Sequence, residues 1–297
     1  MNLSPKSIKS WVVYTGYMIV LTVALLYFLF PGDIIQNFIE QRIANSGSGI
    51  IVTIDSVKPA LPVGLECRGG ELFLRGKPDS PVRVERVGIF PRIGACLSGH
   101  SAFNFHILAY EGKVTGNIRF SGYRISGPFE VNLHLEDIML EKIPAMRNLT
   151  GRSIAGRLLG DITYHYESGT FVQGKGTCSF TLSNGSIELS LPFLEPGKIR
   201  FLYIAGIARL ANGRLTLEKC NLDGDTLRCG LSGNITLYKN IEDSIVNIRG
   251  EIEPLKTSLE QGNMTGLLLS LIGKQRNKEK IPFAIKGTIR DPKVTFM

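Results

Sequence analysis

No catalytic signature stands out in this chain of 297 residues. It has no HExxH, no GxSxG elbow, no Walker loop and no GxGxxG opening a helix. Zinc hydrolysis, serine hydrolysis and nucleotide binding therefore lack their usual sequence marks. Only four histidines occur, His100, His106, His134 and His165, far apart and without metal-ligand spacing. His106, His134 and His165 fall on the polar phase of alternating segments, where solvated surface positions are expected. Glu136 and Asp137 read as the first turn of a helix near Ile138 rather than as an acid/base couple. The chain is expected to be non-enzymatic, without cofactor or metal.

Charge is scarce and spread thinly. Charged residues make up 20% of the chain against 43% hydrophobic ones, a balance that excludes disorder. The net charge of +8 is diffuse, and the one dense basic run is Lys274–Lys280. That run suits an acidic partner or lipid head groups, or is a solvated loop. Nucleic acid is the poorest of the partners a basic chain could take.

Cysteine is sparse too, and no Cys-x-x-Cys occurs. The five are Cys67, Cys96, Cys178, Cys220 and Cys229, an odd number that leaves one thiol unpaired within a monomer. A two-residue turn at Gly224-Asp225 would set Leu222 opposite Leu227 and Cys220 opposite Cys229. At a non-hydrogen-bonded site that spacing permits a disulfide. The alternative is two buried free thiols.

Residues 11–30, WVVYTGYMIVLTVALLYFLF, contain no Asp, Glu, Lys, Arg or His. Twenty helical residues rise about 30 Å, the thickness of a hydrocarbon core. Lys6 and Lys9 precede the run, and Asp33, Glu40 and Arg42 follow it. A transmembrane helix is expected there, with membrane lipid around it. The organisation would be a cytoplasmic tail at 1–10, the helix at 11–30 and a periplasmic β-rich domain at 31–297, as in a single-pass inner-membrane protein. A cleaved signal peptide is the alternative, but the run is long for one and no small-x-small site follows.

What fills the remainder is strand. After Pro31-Gly32, DIIQNFIEQRIAN opens with a capping signal, Asp33 with Gln36. It predicts a short amphipathic helix that packs on the first strands. From Ile50 the period is mostly two. FEVNLHL sets Phe129, Val131, Leu133 and Leu135 on one face, and FNFHILAY, KVTGNIRF and LLGDITYHY alternate likewise. SNGS and LDGDT supply hairpin turns. Helical interruptions are expected at EDIMLEKIPAMRNL, broken by Pro144, and at SLEQGNMTGLLLSLIG.

The pattern Gly, small polar, Ile, polar recurs at Gly116, Gly160, Gly233 and Gly287. Glycines inside strands suggest bulges or bends. The fold class is therefore mainly β, as either of two forms. One is a long curved antiparallel sheet, with Phe129, Val131, Leu133 and Leu135 lining a lipid groove. The other is a β-sandwich in which the same residues fill the core.

The stretch Gly112–Tyr164, with its Gly-x-Ile strand starts, its helix around Pro144 and GRLLGDITY, resembles protein N of the type II secretion system (GspN-type). The order of anchor, DIIQNFIEQRI helix and IIVTIDSV strand, with the closing PFAIKGTIRDPKVTF, is similar to AsmA-like envelope proteins. The first resemblance implies a non-enzymatic inner-membrane subunit. It would dock through its β-rich domain on other secretion subunits, either inner-membrane components or the outer-membrane secretin. The second implies a lipid-binding or lipid-transfer protein with an apolar groove. Neither supplies catalytic residues.

Overall fold

The alternation that begins at Ile50 builds fourteen strands in the computed structural model. It describes residues 5–45, 50–74, 77–123, 127–144, 153–189, 197–238, 240–255 and 280–296. The strands are β1 (Ile50–Ala60), β2 (Gly64–Leu74), β3 (Lys77–Pro91), β4 (Ala102–Ala109), β5 (Gly112–Phe120), β6 (Phe129–Met139) and β7 (Ile154–Tyr166). They continue as β8 (Lys175–Leu189), β9 (Gly197–Ala211), β10 (Arg214–Gly224), β11 (Leu227–Thr236), β12 (Ile245–Pro254), β13 (Ile281–Thr288) and β14 (Pro292–Phe296). Among the described residues three α-helices accompany them: α1 (Pro5–Phe28), α2 (Gly32–Ala44) and the short α3 (Ile93–Leu97).

All fourteen strands form one antiparallel sheet whose spatial order is the sequence order, β1 to β14. Every substantial strand contact is with a sequence neighbour. A sandwich divides its strands between two stacked sheets, whereas here all fourteen belong to one hydrogen-bonded sheet. Of the two expected forms, the single long sheet is the one observed. Local turn chemistry drives this meander. Asn212-Gly213, at φ 50° and 74°, makes the left-handed two-residue turn that matches strand twist, and Ala211 pairs directly with Arg214.

Several expectations need correction. SNGS makes no hairpin: it lies inside β8, with Asn184 at φ 50°, where the pairing to β7 shifts register. The helix expected from Glu136 starts instead as strand. β6 runs to Met139 with a bulge between Leu135 and Ile138, Asp137 sits at φ 53°, and a single 3-10 turn covers Leu140–Lys142. Asp33 forms no cap: Pro31 holds that position without a side-chain hydrogen bond. The basic run at 274–279, the segment 258–273 and residues 145–149 of the segment broken by Pro144 lie outside the described residues.

The membrane anchor is also corrected. Among the described residues no helix is long and apolar enough to cross a membrane, which counts against the single-pass inner-membrane placement with a cytoplasmic tail and periplasmic domain. The apolar run 11–30 does not form one uninterrupted helix. α1 ends at Phe28, so the run keeps about 27 Å of helix at 1.5 Å per residue. Phe30 leaves it to pack, with Ile35 and Ile39 of α2, on Ile54, Val57 and Cys67.

α2 closes the β1 end of the sheet. Gln36 Nε2 donates to the Ile54 carbonyl at 2.6 Å, and the Ile54 amide donates to Glu40 Oε1 at 2.8 Å. Two polar side chains thus satisfy edge groups that would otherwise recruit another strand. Nothing among the described residues does the same for β14.

Candidate functional site

Strand register sorts the side chains into two faces along almost the whole sheet. One row crosses all fourteen strands. It runs Pro59, Leu65, Ile89, Phe105, Gly116, Leu133, Ile162, Cys178, Ala208, Leu217, Gly233, Ile248, Ile285 and Val294. It contains no charge and no polar side chain beyond one thiol. Two residues toward one strand end, a parallel row passes through Val131, Tyr164, Leu210, Leu215, Ile235 and Val246. Two residues toward the other, a third passes through Ile107, Val114, Leu135, Phe180, Leu231 and Phe283. Neither carries a charged residue.

The opposite face is the reverse. Asn104, Asn117, Asn132, Thr163, Thr177, Arg209, Thr216, Asn234, Asn247, Lys286 and Lys293 succeed one another from β4 to β14. Side-chain bonds knit it laterally: Asn132 Nδ2 donates to Asn117 Oδ1 at 3.3 Å, and the Thr163 and Thr177 hydroxyls lie 2.6 Å apart. His134 joins Asp161 there at 2.7 Å. All four histidines are exposed.

The apolar face is floored rather than filled. Phe105 lies against Gly116, Phe180 against Gly206, and Phe283 against Gly250. A methyl group on any of these glycines would stand 2.7 Å from the ring. An aromatic ring lying flat over a glycine on the next strand levels the surface and keeps bulk from rising off it. Gly233 also needs its own φ of 151°, at the point where β10 and β11 shift register. Of the four recurring glycines, Gly233 and Gly287 hold the positive φ that a bend requires. Gly160 pairs with Leu135 where β6 and β7 shift register, and Gly116 lies in regular pairing.

Thirteen interstrand steps of about 4.8 Å make this face about 60 Å long, and three rows make it about 14 Å wide. Its outline is on the order of 800 Å². Leu133, Ile162, Leu217, Ile248 and Ile285 remain only half-buried. Among the described residues, Ser244 alone loses all its surface. Apart from the cluster of Ile54, Val57 and Cys67 under α2, the buried clusters lie toward the strand ends. Leu140, Leu182 and Phe201 cluster there under the 3-10 turn, and Ile199, Leu227, Ile252, Ile281 and Phe283 form a second cluster.

Phe129, Val131, Leu133 and Leu135 all stand on this face, one in each of four successive rows of β6. Phe129 anchors an aromatic group at the strand ends, 5.1 Å from Tyr166, 5.9 Å from Phe120 and 6.1 Å from Tyr164. The phenol of Tyr164 is pushed up from its ordinary range by burial. Reading one strand at a time found the β6 quartet. It missed the continuity of rows, because register between strands is a property of turns and bulges rather than of any single segment.

The cysteine pair shows this dependence on register. β10 and β11 last pair at Asp223 and Arg228, so the loop holds four residues rather than two. Leu222 faces Cys229, and Cys220 faces Leu231. Cys220 and Cys229 share a face but are diagonal neighbours, about 7 Å apart, and both thiols are free. Burial, then the neighbouring Cys220, pushes the Cys229 thiol up to about 12. In comparisons with known proteins, no family model, no curated protein and no solved structure matches this chain.

Proposed function

We propose that this chain is a non-enzymatic lipid carrier of the AsmA-like kind, seating hydrocarbon chains on the apolar face of its sheet. The observation that carries the reading is the set of three parallel rows without a charged side chain, largely half-buried and, beyond the β1–β2 end where α2 packs on them, covered by no other described element. Such a surface in water is unfavourable unless something apolar occupies it. Each methylene removed from water contributes about 0.8 kcal/mol. An acyl chain with ten methylenes half covered gains about 4 kcal/mol, enough for reversible loading. The flat glycine–phenylalanine floor has no pocket shaped to one head group, which suits transport of a lipid class rather than recognition of one molecule.

The test is direct. The full chain, purified without detergent exchange, is extracted with organic solvent and the extract analysed by mass spectrometry. Transfer of fluorescent phospholipid between donor and acceptor vesicles is then measured. Stoichiometric lipid with accelerated transfer is expected; a monodisperse, lipid-free protein that leaves transfer at its spontaneous rate refutes the reading.

A second reading is a docking subunit of a type II secretion apparatus. It is supported by the edge at β14, which no described element pairs or caps. Its test is crosslinking from Lys293 to secretion subunits, and it fails if none is captured.

A further inference from the structure

A cleft of about 610 Å³ opens beside α3, at the end of strands β3 to β5. Its charged lining is Arg92 and Arg119, accompanied by His100, Ser98 and Asn104, with no Asp or Glu. Backbone bonds fix the group. The Arg92 amide donates to the Ala102 carbonyl at 2.8 Å and the His100 amide to the Ala95 carbonyl at 3.2 Å. His100 Nδ1 lies 2.7 Å from the Ser98 carbonyl. A carbonyl can only accept, so Nδ1 carries the proton and Nε2 is the ring's remaining polar atom.

Neither arginine has an ion-pair partner among the described residues. Glu130 stands across from Arg119 on β6, but it accepts from Asn132 at 3.4 Å and forms no ion pair with Arg119. The larger cleft between β9 and β13 differs in this respect. Its Arg228 is held by Asp223 at 2.8 Å and its Lys280 by Glu251 at 3.8 Å. Both guanidiniums are solvent-exposed, with donor forks that an oxyanion of several acceptor oxygens can bridge.

We propose that this cleft binds a phosphate group through Arg92 and Arg119, with Ser98 and Asn104 as neutral donors. Asn104 and Arg119 belong to the polar face, so the site stands whether or not the apolar face holds lipid. The phosphate could belong to a soluble ester or to a lipid head group, and the experiment separates them. The full chain is titrated calorimetrically with inorganic phosphate and with glycerol 3-phosphate at low salt. Binding to phosphatidylglycerol vesicles is measured against phosphatidylcholine vesicles.

Arg92→Gln with Arg119→Gln should weaken whichever interaction is seen by about tenfold or more. Arg214→Gln with Lys293→Gln removes the same net charge elsewhere and should leave it within about twofold. Binding of the soluble phosphates assigns a soluble ligand; a preference for anionic vesicles alone assigns a head group. No binding in either arm overturns the proposal. So does equal weakening by both double variants, which would mean the net charge of +8 acts without a site.

Discussion

Replacing Leu133 with aspartate puts one charge at the centre of the apolar face. Leu133 sits between Gly116 and Ile162 across the strands, with Val131 and Leu135 beside it on its own strand. Its side chain is half-buried, and its Cδ2 leans to 3.0 Å from where a Gly116 side chain would begin. Full burial of a leucine is worth about 2–3 kcal/mol, so losing half of that costs about 1–1.5 kcal/mol. A carboxylate with water on one side adds about 1 kcal/mol of partial desolvation. The total, about 2–3 kcal/mol, leaves a domain of ordinary stability folded. Were the face sealed, an unpaired buried charge would add several kcal/mol more and unfold it.

Leu182→Asp supplies that comparison inside the same protein, because Leu182 is 6% exposed and packed with Leu140 and Phe201. Urea unfolding should be followed by far-ultraviolet circular dichroism, since the only tryptophan, Trp11, lies in α1, outside the sheet. Leu133→Asp should lower the unfolding free energy by about 2–3 kcal/mol and Leu182→Asp by more than about 5 kcal/mol. Equal, severe losses at both positions would refute the open face.

Gly206→Val should lower stability by about 1–3 kcal/mol, because the added group meets the Phe180 ring at 2.7 Å; thermal melting checks it, and an unchanged midpoint would contradict the packed floor. Peptide mapping without reductant should find Cys220 and Cys229 unlinked, and Cys229 should resist alkylation at pH 8, since burial holds its thiol near 12. A thiol raised from 9.0 to about 12 contributes stability that is complete below pH 9. That contribution is lost as pH rises from about 9 toward 12. Alkaline unfolding should thus begin earlier in the wild type than in Cys229→Ala. Gln36→Ala with Glu40→Ala frees the backbone of Ile54 at the β1 edge. Light scattering should then show self-association that the wild type lacks.

The strands themselves were legible because a period of two survives any tertiary context. β4 to β7 fall where FNFHILAY, KVTGNIRF, FEVNLHL and LLGDITYHY alternate. Failures cluster where local chemistry has two outlets. Asn184-Gly185 satisfies a turn and a bulge equally, and pairing on both flanks of β8 selects the bulge. Glu136-Asp137 begins a helix or buckles a strand, and the bulge opposite β7 decides. Asp33 was set to cap α2, whereas Gln36 is drawn away to Ile54 by a strand edge that sequence order alone does not reveal. The phosphate cleft was invisible for the same reason. Arg92 and Arg119 are distant in sequence and are brought together by the β3–β4 connection and the β4–β5 hairpin.

On the proposed function, lipid and not the chain's own residues occupies the apolar face. Photoreactive benzoylphenylalanine placed singly at Leu133, Leu217 and Ile248 probes that face, and at Asn132, Thr216 and Asn247 the opposite one. After irradiation in cells, the first three positions should yield lipid adducts by mass spectrometry and the last three none. Crosslinks from Leu133, Leu217 and Ile248 to residues 256–279 of the same chain, with no lipid adduct, would contradict it.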